Sequence, residues 1–159
     1  MADFRGELRG EGKRFAIVVS RFNALVTERM TAGARACLIE NGVADGNIDH
    51  ISVPGAWELP LAAQAAARNG YDAIVAIGCV IRGDTPHFDY VAGAAANGLE
   101  RVSLDTGVPI AFGVLTTDTP DQALERAGGR HGNKGWDAAE VALELADLLV
   151  KIKTDARPQ

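Results

Sequence analysis

The chain has 159 residues, and 16 Lys and Arg against 21 Asp and Glu give a formal net charge of −5 at pH 7. Hydrophobic residues make up 47% and charged residues 23%, which is typical of one globular domain and argues against disorder or a coiled coil. The acidic balance, with no basic patch, argues against a nucleic-acid partner or an anionic membrane surface.

The sequence also predicts the cellular compartment. Cys37 and Cys79 each lie in an apolar segment, and neither has a second cysteine or a histidine at metal-ligand spacing. This pattern favours buried thiols in a reducing compartment, without disulfides or a metal site. The first fourteen residues lack an apolar signal region, and the apolar runs are too short to cross a membrane. We therefore expect a soluble cytoplasmic protein.

Apolar and amphipathic segments alternate along the chain. Residues 1–12 are rich in Gly and charge and are expected to form a flexible N-terminal arm, which leaves residues 13–154 as a single domain. The predicted strands cover residues 15–19, 48–53, 73–81 and 110–115. The predicted helices begin at a cap on Asn23, at about residue 56, after residue 85, and near residues 121 and 135.

This alternation predicts the fold class. The second strand alternates polar and apolar residues, as an edge strand does, whereas the third is the most apolar segment and is expected at the centre. Strands separated by helices imply a parallel sheet with right-handed crossovers. We expect a three-layer α/β/α domain of flavodoxin-like type, with a four-stranded parallel sheet in the order 2-1-3-4.

The last predicted helix, over residues 135–153, shows a charged stripe at helical spacing. Its members are Asp137, Glu140, Glu144, Asp147 and Lys151. Such a stripe indicates a solvent-facing side, with the leucines of the same helix on the core side.

Polar and aromatic residues follow the predicted carboxyl end of every strand. These segments are residues 21–23, 53–58, 78–88 and 116–119. The opposite strand ends carry plainer turns, such as Asn41-Gly42. Ligands of open parallel sheets bind at the carboxyl edge, so the asymmetry predicts a binding site there.

The segment Gly83-Asp84-Thr85-Pro86-His87 predicts a phosphate site. Thr85 suits a helix N-cap and Pro86 the first helical position, which would leave main-chain amides facing an anion. His87 would lie beside that anion, where an imidazole can accept and donate protons. The plainer interpretation is an ordinary cap with an exposed histidine. The charge of Asp84 favours that interpretation unless its side chain points away from the phosphate.

The other candidates also have two interpretations each. Trp57 and Glu58 form either a ligand-binding wall or a plain helix start, and Phe22 is either a stacking platform or a hydrophobic staple. Phe112 lies in an apolar strand, where a core role is ordinary. The basic, Gly-rich stretch 126–135 either closes over an anion or is a solvated turn.

Five segments taken together resemble the lumazine synthase family of riboflavin biosynthesis. They are RFN (21–23), VPGAWELP (53–60), AIGCVIRGDTPHFDYV (76–91), FGVLTTDT (112–119) and ERAGGRHGNKG (125–135). They follow the family's order over nearly the whole chain. Any one of them is weak, but five in register are very specific and favour the functional interpretation of each candidate.

The resemblance implies a reaction and a set of site residues. The reaction condenses 5-amino-6-(D-ribitylamino)uracil with 3,4-dihydroxy-2-butanone 4-phosphate, releases phosphate and water, and uses no metal or redox cofactor. The catalytic residues implied are His87, for proton transfer, and Arg126. The residues implied for the ribitylaminouracil are Phe22, Asn23, Ala56, Trp57, Glu58, Cys79, Val80, Ile81, Phe112 and Lys134. Those implied for the phosphate are Gly83, Asp84, Thr85 and Arg126.

The resemblance also implies partners. The family forms homopentamers, some of which assemble into sixty-subunit icosahedral shells, and Phe112 and Arg126 are implied to come from a neighbouring subunit. Association with riboflavin synthase is a further implied partnership, and the arm could add a strand to a neighbour. Two rivals stay open: a non-catalytic carrier of lumazine or flavin on the same fold, and an inactive shell protein. The presence of His87 and Arg126 argues against the carrier.

Overall fold

The structure is a computed structural model that describes residues 1–155. Its main sheet contains four parallel strands in the order β2-β1-β3-β4. They are β1 (Phe15–Ser20), β2 (Ile48–Val53), β3 (Ala73–Ile81) and β4 (Ile110–Thr117). The predicted strand order is therefore confirmed, as is the flavodoxin-like three-layer architecture. The bounds of the second and third strands match the prediction, and β1 and β4 extend by one and two residues at their carboxyl ends.

Five α-helices flank the sheet within the described residues. They are α1 (Ala24–Glu40), α2 (Leu59–Ala67), α3 (His87–Thr106), α4 (Pro120–Glu125) and α5 (Lys134–Lys153). Two 3-10 turns, Asp45–Asn47 and Ala56–Glu58, precede β2 and α2. A short hairpin of β5 (Ala127–Gly129) and β6 (Gly132–Asn133) replaces the loop predicted before the last helix. No helix of this part of the chain is both long and apolar enough to cross a membrane.

The core is divided by the sheet into two apolar clusters. Side chains of β1 alternate between them, because Phe15 packs with α1 and α5 whereas Ala16 packs with α2 and α3. On the first side α1 and α5 approach very closely: a Cβ atom at Gly135 would lie 1.9 Å from the carbonyl oxygen of Met30. The carboxyl ends of the strands, above both clusters, are thereby held in fixed register.

Asn23 differs from its predicted role as a cap. It stands at the cap position of α1 in a left-handed conformation, with φ of 62°, and its side chain makes no capping hydrogen bond. Its Nδ2 instead donates to the main-chain carbonyl of Cys79 at 2.8 Å. The cap prediction was wrong because this amide ties the start of α1 to the end of β3.

Asp147 differs from its predicted place in a solvent-facing stripe. It is buried, with 7% of its surface exposed. The N-terminal arm runs across α5 at this point, where Lys151 donates to the carbonyl of Arg5 at 2.9 Å. A Cβ atom at Gly6 would lie 1.9 Å from the carbonyl oxygen of Glu144. The stripe prediction was wrong for Asp147 because helical periodicity does not reveal that a distant segment covers the helix. The flexibility of the arm and the extent of the single domain stay predictions.

Candidate active site

A cavity of about 610 Å³ opens above the carboxyl ends of β2 and β3. Its lining residues are Phe22, Pro54, Gly55, Ala56, Trp57, Glu58, Cys79, Val80, Ile81, Gly83, Thr85, His87, Phe88, Tyr90 and Val91. The volume is in the range of small-molecule sites. The cavity lies at the edge of the sheet where the sequence predicts a ligand.

Hydrogen bonds between strand ends shape the walls of this cavity. The amide of Arg21 donates to the carbonyl of Val53 at 2.8 Å, and the amide of Phe22 donates to the carbonyl of Pro54 at 3.1 Å. The chain leaving β1 therefore runs beside the chain leaving β2. The bond from Asn23 to Cys79 adds the end of β3 to the same frame.

Three aromatic rings stand at the mouth of the cavity with much of their surface exposed. Phe22 is 69% exposed, Trp57 61% and Tyr90 71%. Exposed rings grouped around one opening are typical of a binding surface, and their faces can stack on a planar heterocycle. Two of them are predicted site residues, and the third was missed. Tyr90 follows His87 by three residues in a helix, and that spacing alone places both on one face.

The end of the cavity near α3 is built from main chain and an imidazole. Gly83, Thr85 and His87 line it. The predicted helix boundary was wrong by one residue: α3 begins at His87, Pro86 occupies the cap position, and Thr85 makes no capping hydrogen bond. The first helical hydrogen bond is donated by the amide of Asp89 to Pro86 at 3.0 Å. Because the opening amides of a helix lack helical partners, this end is suited to an anion.

Asp84 and Asn23 do not line the cavity. Asp84 is exposed, and it is not among the lining residues although Gly83 and Thr85 on either side of it are. A Cβ atom on Gly83 would meet nothing within 4 Å. The space beside this glycine is therefore open for a ligand.

Cys79 contributes its backbone more than its thiol. The side chain is 2% exposed, and burial raises the pKa of the thiol to about 11. A thiol with so high a pKa is almost entirely protonated near neutral pH and is therefore a poor nucleophile. Within residues 1–155 no group of three or more His, Cys, Asp or Glu is placed to hold a metal ion.

A second, smaller cavity of about 240 Å³ lies along β4, the other edge strand of the sheet. Three of its lining residues are predicted site residues, namely Phe112, Arg126 and Lys134. Phe112 is 49% exposed, so it is not the core residue that its apolar strand suggests. The Arg126 guanidinium donates to the carbonyl of Gln122 at 3.0 Å, and the Lys134 ammonium lies 3.7 Å from Asp137. Two cations therefore flank an exposed ring at an edge of the sheet.

The chain matches a known family over most of its length. The family is described as 6,7-dimethyl-8-ribityllumazine synthase, and the match covers residues 12–150. The chain belongs to this lumazine synthase family. The match spans the residues that line both cavities, and all five helices up to residue 150.

Two named relatives agree with this membership. The 6,7-dimethyl-8-ribityllumazine synthase of Desulfatibacillum aliphaticivorans is 52% identical over 149 residues, which is 93% of this chain and 96% of that protein. The enzyme of the same name from Gemmatimonas aurantiaca is 58% identical over 149 residues, covering 93% of this chain and 91% of its own. The chain is therefore similar to lumazine synthases over nearly their full length.

The catalytic pair implied by the lumazine synthase resemblance is divided between the two cavities. His87 lines the larger cavity and Arg126 the smaller one, and the two cavities share no lining residue. One chain alone does not bring the imidazole and the guanidinium together. Pro54, Gly55 and Phe88 also line the larger cavity and lie in the segments predicted at the strand ends, although none was an individual candidate. Besides Tyr90, only Val91 of the lining lies outside those segments.

Proposed function

We propose that this protein is a 6,7-dimethyl-8-ribityllumazine synthase, a transferase-type condensing enzyme. It condenses 5-amino-6-(D-ribitylamino)uracil with 3,4-dihydroxy-2-butanone 4-phosphate in the penultimate step of riboflavin biosynthesis, releasing phosphate and water. One observation carries the proposal: ten predicted site residues line a single cavity. These are Phe22, Ala56, Trp57, Glu58, Cys79, Val80, Ile81, Gly83, Thr85 and His87.

The two ends of the cavity suit the two substrates. The exposed face of Phe22 supports stacking of the uracil ring, with the segments 56–58 and 79–81 along the ring and the ribityl chain. The main chain from Gly83 to the start of α3 supports binding of the phosphate. Binding both substrates in one cavity holds the amine next to the ketone. Because an amine and a ketone react readily, we expect this proximity to supply most of the rate acceleration.

Proton transfer is the task we assign to His87. The 5-amino group attacks the ketone, and a first water leaves to give an imine. Phosphate is then eliminated, which leaves a carbonyl on the neighbouring carbon, and the second nitrogen attacks that carbonyl and closes the ring as a second water leaves. Each step moves a proton, and His87 lines the cavity directly after the phosphate loop. An imidazole at that place can serve both as acid and as base.

We further propose that the site is completed by a second copy of the chain. Phe112, Arg126 and Lys134 line a separate, exposed cavity on the sheet edge formed by β4. In a homopentamer this edge would meet the larger cavity of a neighbour, with Arg126 pairing with the phosphate there. We also propose that the pentamers assemble into a sixty-subunit shell in the cytoplasm. We propose that this shell associates with riboflavin synthase.

A product assay tests the proposed activity. The protein is incubated with both substrates, and lumazine fluorescence is followed against reactions that omit either substrate. Product that depends on both substrates supports the enzyme. A carrier, which the family membership does not favour, would bind added lumazine without forming it. An inactive shell protein would form large particles and no product.

A mixing experiment tests the shared site. The variants His87→Ala and Arg126→Ala are each assayed alone, then unfolded together, refolded as a mixture and assayed again. In a shared site, a subunit with an intact His87 can border one with an intact Arg126, so the mixture regains activity. Activity no higher than the average of the two variants would contradict a site shared between subunits. Light scattering of each sample distinguishes a pentamer from a shell.

A further inference from the structure

Arg82, the residue after β3, is held from three directions. Its Nε donates to Oδ1 of Asp118 at 2.9 Å, and its Nη1 lies 3.6 Å from Oδ1 of Asp89. The guanidinium carbon lies 4.4 Å from the centre of the Phe88 ring. Its main-chain amide donates to the carbonyl of Thr117 at 2.8 Å. Two carboxylates and an aromatic face together restrict how this half-exposed guanidinium can turn.

These contacts join both ends of the loop that carries the phosphate residues. Arg82 begins the loop over 82–86, whereas Phe88 and Asp89 belong to the first turn of α3 where the loop ends. Phe88 lines the larger cavity and directly follows His87. Its ring also packs against the apolar cluster on this side of the sheet. The Phe88 ring is therefore held by the core and by the Arg82 guanidinium.

The main chain of Asp118, whose carboxylate contacts Arg82, is itself held by a hydrogen bond. The amide of Asp118 donates to Oε1 of Gln122 at 2.8 Å, within the capping box that starts α4. The carbonyl of Gln122 accepts from Arg126 at 3.0 Å. The contact between Arg82 and Asp118 therefore anchors the phosphate loop to a turn that is already rigid.

The charge of Arg82 is directed away from the cavity. Asp89 and Asp118 face its guanidinium, and Arg82 is not among the residues that line the larger cavity. A guanidinium used to bind phosphate would instead present its donors to the ligand. These contacts favour an indirect role.

We propose that Arg82 is a positioning residue, which holds the 83–86 loop and the first turn of α3 so that the loop amides and His87 face the phosphate. The expected effect of Arg82 on the enzyme kinetics rests on the proposed function. The structural consequence of this role, a rigid loop, holds whether or not the protein makes lumazine.

The test compares Arg82→Ala, Arg82→Lys and Asp118→Asn with the wild type. Arg101→Ala is the matched control, because Arg101 forms an exposed ion pair with Asp105 at 3.5 Å near the C-terminal end of α3, far from the loop. The first readout is amide hydrogen exchange of residues 89 and 90 without substrate, because their amides both donate to Pro86 at the end of the loop. The second is steady-state kinetics, with the KM of each substrate and kcat measured separately, beside the melting temperature.

We expect Arg82→Ala to speed exchange of the amides of residues 89 and 90 about tenfold, and Arg101→Ala to leave it unchanged. Arg82→Ala and Asp118→Asn should each raise the KM for the phosphate substrate about fivefold or more and lower kcat, with the KM for the ribitylaminouracil within about twofold of wild type. Arg82→Lys should recover part of the loss, because it keeps the charge without the planar fork.

Two results would overturn the proposal. Unchanged exchange in Arg82→Ala would show that the contacts do not hold the loop. A lower KM for the phosphate substrate in Asp118→Asn would show that the freed guanidinium binds phosphate directly. If the wild type forms no lumazine, the proposed function fails, and the exchange comparison alone decides the role of Arg82.

Discussion

The main-chain amide of Glu7 donates a hydrogen bond of 2.8 Å to the carboxylate of Asp147, which lies on α5 near the other end of the chain. The ammonium groups of Lys151 and Lys13 lie 2.8 and 3.6 Å from the same carboxylate. The hydrogen bond from Lys151, followed by that from the Glu7 amide, lowers the pKa of Asp147 to about 2. One buried carboxylate thus links the N-terminal arm to the last helix.

This pKa shift predicts a pH-dependent contribution to stability. A carboxylate whose folded-state pKa is lowered stabilises the fold above its ordinary pKa of 3.8, and the contribution is lost as the pH falls through about 2. We expect Asp147→Asn to lower the free energy of unfolding by roughly 2 kcal/mol at pH 7. The difference in the free energy of unfolding between Asp147→Asn and the wild type should disappear as the pH falls from about 4 to about 2.

Urea unfolding at several pH values and one protein concentration measures this difference. Asp3→Asn is the control, because Asp3 is an exposed acid of the same arm. A loss that stays constant down to pH 2, or no loss at pH 7, would contradict the assigned role of the carboxylate.

His87→Ala is expected to slow turnover only moderately. Since holding the two substrates together supplies most of the acceleration, we expect kcat to fall about ten- to a hundredfold rather than to vanish. His50→Ala is the control, since His50 lies on β2 and lines neither described cavity. The initial rate of lumazine formation is the measurement, and an unchanged rate in His87→Ala would remove the acid–base role.

Arg126→Ala is expected to weaken binding of the phosphate substrate. A lost ion pair to a phosphate typically costs about 1.5–3 kcal/mol, so the KM for this substrate should rise at least tenfold while that for the ribitylaminouracil changes little. Arg130→Ala, an exposed neighbour in the same hairpin region, is the control. Equal increases in both KM values would indicate general damage to the site rather than loss of a phosphate contact.

Gly135→Ala is expected to destabilise the fold. The added Cβ atom would lie 1.9 Å from the carbonyl oxygen of Met30, so α1 and α5 would have to separate, at a cost of about 1–3 kcal/mol. At Gly46 a Cβ atom would meet nothing within 4 Å, so Gly46→Ala should be neutral or slightly stabilising. Thermal unfolding of both variants checks this contrast, and equal melting temperatures would contradict it.

Local patterns in the sequence were sufficient to predict the sheet. Residues 15–19 of β1 and the whole of β3 carry no polar side chain other than a cysteine thiol, whereas polar and apolar residues mix in β2, as in an edge strand. The location of the larger cavity was also predictable, because the carboxyl ends of parallel strands lie at the same edge of the sheet. Ten of the residues implied by the family resemblance consequently meet in one cavity.

Helix starts and side-chain partners were less predictable. Asn23 has the chemistry of a cap, yet its amide bonds to the carbonyl of Cys79, which is 56 residues away in the chain. Thr85 has the same chemistry, yet α3 begins two residues later. A capping side chain can bond to any nearby polar group, and only the folded chain determines which group is near.

Residue types and their periodicity therefore determined the parallel sheet and predicted a site at its carboxyl edge, and the resemblance of five motif segments indicated the family. Only the tertiary structure decided that Asp147 is buried beneath the arm, that Arg82 faces two carboxylates rather than the cavity, and that His87 and Arg126 belong to separate cavities of one chain. The reason is physical: periodicity describes how a segment meets its own neighbours, whereas burial and ion pairing depend on segments that are distant in the chain and meet only in the fold.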